Sequence, residues 1–272
     1  MTGKWKGFER ELFSRGTLDQ FQQEECARKL SREFSGMAFF PLSLSRLTPY
    51  VAVVGAHEGG RRRLLRIASR GASMAGFDGR SLAEMRRGNL TLAVHDASTD
   101  LILSLGEHIP WLRPRPNPGR PSIGMGDRLG MATAAHIRAV EAGSLFPYLA
   151  QQSVGENTGT GRGWSDVMAD AIFGVFREGW TRGFSSDADH LTDSGELAAA
   201  AEAGFVRYTL DLASEVRDIS GFDRMKLSRE LVLMEKEQQG AEQWRKRYLG
   251  KAFRLAPGFP TRNLVFDEKS FL

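Results

Sequence analysis

Sulfur chemistry is nearly missing from this chain. Cys26 is its single cysteine, which excludes an intrachain disulfide and any metal centre built on paired thiolates. A reducing compartment fits that usage. Long hydrophobic runs are missing too: nowhere do roughly 18 apolar residues follow one another, as a membrane-spanning helix requires. The first ten residues carry charge but no following apolar run of the kind that marks a secretory leader. The expectation is a soluble, cytoplasmic protein with no membrane partner. Nor is there a large excess of one charge, since 37 basic residues face 33 acidic ones for a formal +4. The densest basic cluster is Arg61-Arg62-Arg63, with Arg66 and Arg70 nearby. No aromatic residues interleave with it, so it reads as a solvated loop or strand end and not as a nucleic-acid surface.

What remains is ordinary globular material. With 272 residues, 41% of them hydrophobic and 26% charged, the chain can bury a sizeable core. Thr17 or Asp19 can cap a peripheral helix running through Phe21, Ala27, Leu30 and Phe34. From Met37 to Leu105 the apolar runs are short and strand-like: 37–44, 50–54, 64–67 and 90–94, separated by turns such as Glu58-Gly59-Gly60. His57 and His95 stand alone among these runs and read as surface residues. A small β-rich subdomain over residues 1–110 follows. The stretch 109–119 then packs four prolines into a short span, forbids helix and marks the domain boundary.

Beyond it, strand-like and helix-like runs alternate. Strands are expected at 122–123, 145–150, 184 and 205–210, with helices at 132–141, 166–180 (capped by Ser165) and 194–203, and a polar loop at 153–163. A charged helical region at 221–249 carries Leu227, Leu231, Leu233 and Met234, and Lys251 to Leu255 before Pro257-Gly258 reads as one more strand and turn. Alternation of this kind implies a parallel sheet with right-handed crossovers. The fold class is therefore α/β: a partial parallel (β/α) TIM-barrel-like domain over 120–272, preceded by the β-rich subdomain.

Polar residues collect where these strands end, the place where parallel α/β proteins carry their ligands. Gly124-Met125-Gly126-Asp127-Arg128-Leu129-Gly130 misses the dinucleotide fingerprint by one residue. Its glycines allow a tight turn that presents Asp127 and Arg128, either as site residues or as a local ion pair and helix cap. Gln151 and Gln152 end an otherwise apolar strand, so at least one amide needs a polar partner. In Asp187-Ala188-Asp189-His190 the two carboxylates share one side of an extended chain. Beside an imidazole they can bind a cation or act as acid and base, and helix capping is the competing use. Asp211 ends the next strand in the same way.

Taken in order, Ser122 to Val140, Ala150-Gln151-Gln152-Ser153, Gly183 to Leu191 and Ala203 to Asp211 resemble the tagaturonate epimerase family. Weaker echoes lie at Phe40 to Arg46 and Lys251 to Asp267. The resemblance implies a metal-dependent, barrel-type sugar-acid epimerase interconverting tagaturonate and fructuronate, and it covers an amino-terminal half. It implies Asp127 and Asp189 as acid/base residues and His190 as a ligand of a divalent ion (Zn, Mn or Ni). Arg128 and Gln152 would hold the substrate carboxylate or hydroxyls, with Gln151 and Asp187 beside them. The resemblance further implies retro-aldol chemistry. Two other readings stand beside it. One is a non-catalytic sugar-acid-binding or assembly protein that pairs with itself or a complementary chain; the other is an α/β enzyme that grips a phosphorylated sugar through Gly124 to Gly130 and the arginines.

Overall fold

The computed structural model describes residues 2–13, 18–47, 50–69, 81–214, 218, 220–237, 241–254 and 263–267. Thr17, Arg70, Leu255 and the Pro257-Gly258 turn lie outside the described residues. Two helices open the chain, α1 (Thr2–Phe13) and α2 (Gln20–Glu33). In α1, Trp5, Phe8 and Leu12 recur at three- and four-residue steps and are buried along one face. Asp19 caps α2: its carboxylate accepts the Gln22 N–H at 2.8 Å, and the Gln22 side chain accepts the Asp19 N–H at 3.0 Å.

An antiparallel sheet follows, built from β1 (Met37–Phe39), β2 (Ser45–Leu47), β3 (Tyr50–His57), β4 (Arg62–Ser69), β5 (Ser81–Arg87) and β6 (Leu90–Asp96). Its order is β1-β3-β4-β6-β5, with β2 also on β3. Strand alternation divides its apolar residues between two cores. Val51, Val53, Leu65, Ile67, Leu92 and Val94 face α1 and α2. Tyr50, Ala52, Val54, Leu64 and Ala68 join the larger core on the other side.

The second sheet is parallel: β7 (Ser122–Gly124), β8 (Phe146–Ser153), β9 (Ser185–Leu191) and β10 (Tyr208–Leu210), in the order β10-β9-β8-β7. Strands laid down in sequence order, without a reversal, place successive right-handed crossovers on one face. The crossovers are α4 (Thr133–Glu141), then α5 (Val154–Thr160) with α6 (Trp164–Arg177), then α7 (Ser194–Glu202). The result is a curled parallel half-barrel, with four parallel strands among the described residues. The extra strand expected after Lys251 does form, but it does not extend this sheet.

Helix α6 is the hub. Nine of its residues, from Val167 to Phe176, are buried, so it is apolar nearly all round, as an internal helix must be. It packs against α3 (Thr99–His108), against β3 of the antiparallel sheet and against β8 of the parallel one. The expected boundary at 109–119 lies between the sheets along the chain, yet the core continues across it. Trp111, in a short 3-10 turn at Pro110–Leu112, meets Phe176 edge to face at 5.8 Å. Residues 1–210 form one compact unit and residues 211–272 another.

In that second unit, α8 (Arg224–Glu237) and α9 (Ala241–Tyr248) precede β11 (Ala252–Arg254) and β12 (Asn263–Val265), which pair antiparallel. Tyr248 is the centre of its aromatic cluster, stacked on Trp244 at 5.6 Å and in contact with Phe253 and Phe266.

Several local expectations are corrected. The 153–163 stretch contains α5, whose Ser153 and Glu156 form a reciprocal cap. Helix α6 starts at Trp164, and Asp166, not Ser165, closes its first turn by accepting the Gly163 N–H at 3.0 Å. The Asp-Ala-Asp-His run lies inside β9 and not after it. His95 is buried and lies 3.0 Å from the Nε of Arg66, which is buried with it. Arg62 and Arg63 are not solvated: they pair with Asp170 and Asp96.

Candidate active site

At the carboxyl end of β7 the chain turns through 124–130 into α4. Asp127 is buried and its carboxylate is fully employed by that turn. It accepts the N–H groups of Met131 (2.9 Å), Ala132 (2.7 Å) and Thr133 (3.0 Å), and the Thr133 hydroxyl at 3.2 Å. Burial alone would raise its pKa, but these four donors hold it below the usual carboxylate range. The position at the helix start where a phosphate would sit is therefore filled by the protein's own anion. Arg62 and Arg63 of the arginine run are likewise paired within the protein, with Asp170 and Asp96.

A row of polar side chains crosses the half-barrel on the face opposite the helices. Gln151 on β8 and Asp187 on β9 are register partners, and Gln151 Nε2 lies 3.4 Å from Asp187 Oδ2. Thr209 on β10 donates its hydroxyl to Asp187 Oδ1 at 2.9 Å. Arg207 Nε stands 3.9 Å from Asp187 Oδ2, and its guanidinium lies over the Tyr148 ring at 5.1 Å. A hydrogen bond with Tyr148 and the charge of Asp187 hold Arg207 more firmly protonated than a free arginine. On β7 the row ends at Gly124, where a Cβ would lie 2.3 Å from Gln151 Oε1; only glycine leaves room for that amide. Asp187 is only 4% exposed, so its side chain finds its polar partners in this row and not in water.

Strand alternation separates Gln152 from Gln151. Gln152 points to the helix side, is 1% exposed, and among the described residues neither its Nε2 nor its Oε1 has a hydrogen-bond partner. The two neighbouring amides expected to share a ligand therefore lie on opposite faces.

Asp189, two residues beyond Asp187, returns to the polar face near the end of β9. The next residue leaves extended geometry: His190 has φ 57°, the left-handed region that side chains rarely adopt. Its Nδ1 lies 3.1 Å from Asp189 Oδ2, and its side chain is 61% exposed. Strain of this kind is retained where surrounding structure over-determines it, commonly at functional sites. As a metal site the pair is incomplete. Asp189 and His190 offer two donors, and among the described residues no group of three or more His, Cys, Asp or Glu side chains is gathered to hold an ion.

Arg128 rises from the turn after β7 and pairs with Glu156 of α5, just past the end of β8. At 72% exposure this is a weak, movable pair. Burial pushes the Glu156 carboxyl up, but Arg128 and the Ser153 cap bring it below its ordinary value. The two side chains border an open hollow of about 430 Å³, with Leu129 and Met131 projecting beside it. Asp211 belongs to the second unit, where it accepts the Ala213 N–H at 2.9 Å.

The structure thus places Gln151, Asp187, Asp189 and His190 along one face, with Arg128 in the turn after β7; the Asp127 carboxylate is taken up by that turn, and Gln152 is buried with its amide unpartnered among the described residues. Sequence reasoning missed Tyr148, Glu156, Arg207 and Thr209. The spacing Arg207-x-Thr209 and the Ser153-x-x-Glu156 cap were the available signals.

Comparison with known proteins agrees with this architecture. The sequence profile of the tagaturonate epimerase family, UxaE, matches residues 41–272. A tagaturonate/fructuronate epimerase of Thermotoga maritima is 40% identical over 171 residues, covering 61% of this chain and 33% of its own. Two crystal structures of fructuronate-tagaturonate epimerase from Cohnella laeviribosi superpose on most of the chain. The complex with two glycerols has TM-score 0.65 and 25% identity, over 91% of this chain and 48% of that one. The native form has TM-score 0.64 and 26% identity, over 90% and 48%. This chain therefore spans between a third and a half of the length of these relatives. The profile match across most of its residues shows that the chain belongs to the tagaturonate epimerase family.

Proposed function

We propose that this chain forms the substrate-binding half-barrel of a ketohexuronate epimerase that interconverts tagaturonate and fructuronate. The observation that carries the reading is the row Gln151–Asp187–Thr209, with Asp189 and His190 at its end, on the open face of a parallel sheet in a chain of this family. Hydroxyl-rich ligands require such dense, oriented donors and acceptors. Arg128, exposed and loosely held, is the group we assign to the substrate carboxylate.

These ketoacids differ at the carbon β to the ketone, whose C–H the carbonyl does not acidify. A retro-aldol route avoids that difficulty. Asp189 takes the proton of the β-hydroxyl, the bond between the α and β carbons breaks, and its electron pair enters the enediolate. The aldehyde fragment turns, the bond re-forms on its other face, and the proton returns to the new alkoxide. His190, against Asp189, orients that carboxylate. The enediolate needs electrophilic support, which a divalent cation such as Zn²⁺, Mn²⁺ or Ni²⁺ supplies when bound. For that ion the described residues of this face offer Asp189 and His190, and the remaining ligands would come from beyond the described residues. Asp127 is better used as the fixed anion of its turn than as an acid or base.

The test is titration of the purified chain with fructuronate and tagaturonate, followed by turnover with each metal after chelation. Saturable binding that weakens at least about tenfold in Asp187→Asn and Arg128→Ala supports the reading. A folded chain that binds neither sugar acid overturns it. Light scattering on the same sample tests self-association. That second reading is favoured by β7 and β10, each of which pairs on one side only among the described residues.

A further inference from the structure

The arginine run at 61–63 has no place in the chemistry above, yet Arg62 reaches the loop that carries Arg128. From β4 of the antiparallel sheet, its guanidinium donates to Asp170 on α6 and, through Nη2, to the Gly130 carbonyl at 2.6 Å. Arg162 approaches from the other side: it donates to the same Asp170 carboxylate and, through Nη1, to the Asp127 carbonyl at 2.8 Å. Asp170 is 17% exposed in its side chain and bridges both arginines. Burial raises its carboxyl above the ordinary value, and the two guanidiniums offset only part of that rise.

The loop is thereby held at both kinds of backbone group. Arginines grip the carbonyls of 127 and 130, and the Asp127 carboxylate grips the N–H groups of 131 to 133. Between these fixed points the side chains of Arg128 and Leu129 reach out, and Arg128 is the one that carries charge. We infer that Arg62, Asp170 and Arg162 form a positioning clamp that fixes the loop after β7 so that Arg128 meets an anionic ligand in one geometry. Arg62 thus makes the antiparallel sheet part of the framework of the binding site. The ligand-binding side of this inference rests on the ketohexuronate reading; the loop-holding side does not.

The test uses the full chain with Arg62→Met, which removes the grip, and Arg62→Lys, which keeps the charge but lacks the planar fork that holds Asp170 and the Gly130 carbonyl together. Amide exchange over residues 127–133 should rise at least about tenfold in Arg62→Met and less in Arg62→Lys. The amides of β8 and α6 should keep their protection. Fructuronate affinity should fall about tenfold in Arg62→Met and in Arg128→Ala. The double variant should lose no more than Arg128→Ala alone, because a clamp acts only through the residue it positions. Unchanged loop exchange, exchange raised equally throughout the unit, or additive losses would overturn the clamp. If the parent binds no ketohexuronate, the functional reading fails while the exchange result still decides the clamp. Should Arg62→Met not fold, Arg162→Lys gives the same exchange readout from the opposite side.

Discussion

Gly130 lies directly against Asp170: a Cβ on this glycine would be 1.9 Å from Asp170 Oδ2, and its φ is +68°. Space and backbone conformation independently demand glycine here. Gly130→Ala must either expel the carboxylate from its two arginines or shift the loop. The expected cost is at least ~2 kcal/mol, which in a domain of this size lowers the melting midpoint by about 4 °C or more. A scanning-calorimetry midpoint within about 1 °C of the parent would show that the loop moves freely.

Asp127 sets a pH signature. Its folded-state pKa lies below its ordinary value, the four donors outweighing burial. A carboxyl with a depressed folded pKa contributes stability that is complete above the unfolded value, about 3.8 to 3.9. That contribution is lost as pH falls through the folded value. Asp127→Asn should therefore be less stable at neutral pH, by ~1 kcal/mol, because the amide keeps an acceptor oxygen but loses the charge that strengthens these bonds. It should also show a shallower decline below about pH 4. Parallel chemical-denaturation curves at pH 7 and pH 3 measure this; parallel losses in parent and variant would remove Asp127 from the account.

Phe176 tests whether the two sheets share one core. It is fully buried on α6 and touches Trp111 of the proline-rich segment. Phe176→Ala should cost about 3–5 kcal/mol. Exchange protection should fall together in β4 of the antiparallel sheet and β8 of the parallel one. Loss confined to one sheet would restore the boundary that the prolines suggest.

Much of the framework was legible because it rests on local patterns. The apolar runs at 50–54, 64–67 and 90–94 fall inside β3, β4 and β6. Three of the four parallel strands fell close to where the alternation of runs placed them. What failed depended on partners distant in sequence. Arg62 looked solvated because nothing near it in sequence points to Asp170, 108 residues away. His95 looked exposed because its alignment with Arg66 arises only when β4 and β6 pair. Phe205 looked like the start of a strand, but it packs its ring on Trp164 at 5.1 Å, and β10 begins at Tyr208. In the candidate site, the two faces of β8 decided between Gln151 and Gln152. The register irregularity between Tyr148 and Ala150 makes simple counting from the strand start unsafe.

His190 separates stability from function most sharply. Its φ of 57° costs an ordinary side chain roughly 1 kcal/mol, a cost glycine escapes. The compensating contact, Nδ1 to Asp189 Oδ2 at 3.1 Å, involves a half-exposed pair worth little in water. His190→Gly should therefore raise stability by several tenths to ~1 kcal/mol. If the imidazole orients Asp189 or binds an ion, the same change should weaken fructuronate binding or turnover at least about tenfold. Chemical denaturation and sugar-acid titration on the one variant read both effects. A gain in stability with unaltered binding would make the strained backbone a local accident of the β9 terminus. A loss of stability would mean that the Asp189 contact, and not a ligand, holds His190 in place.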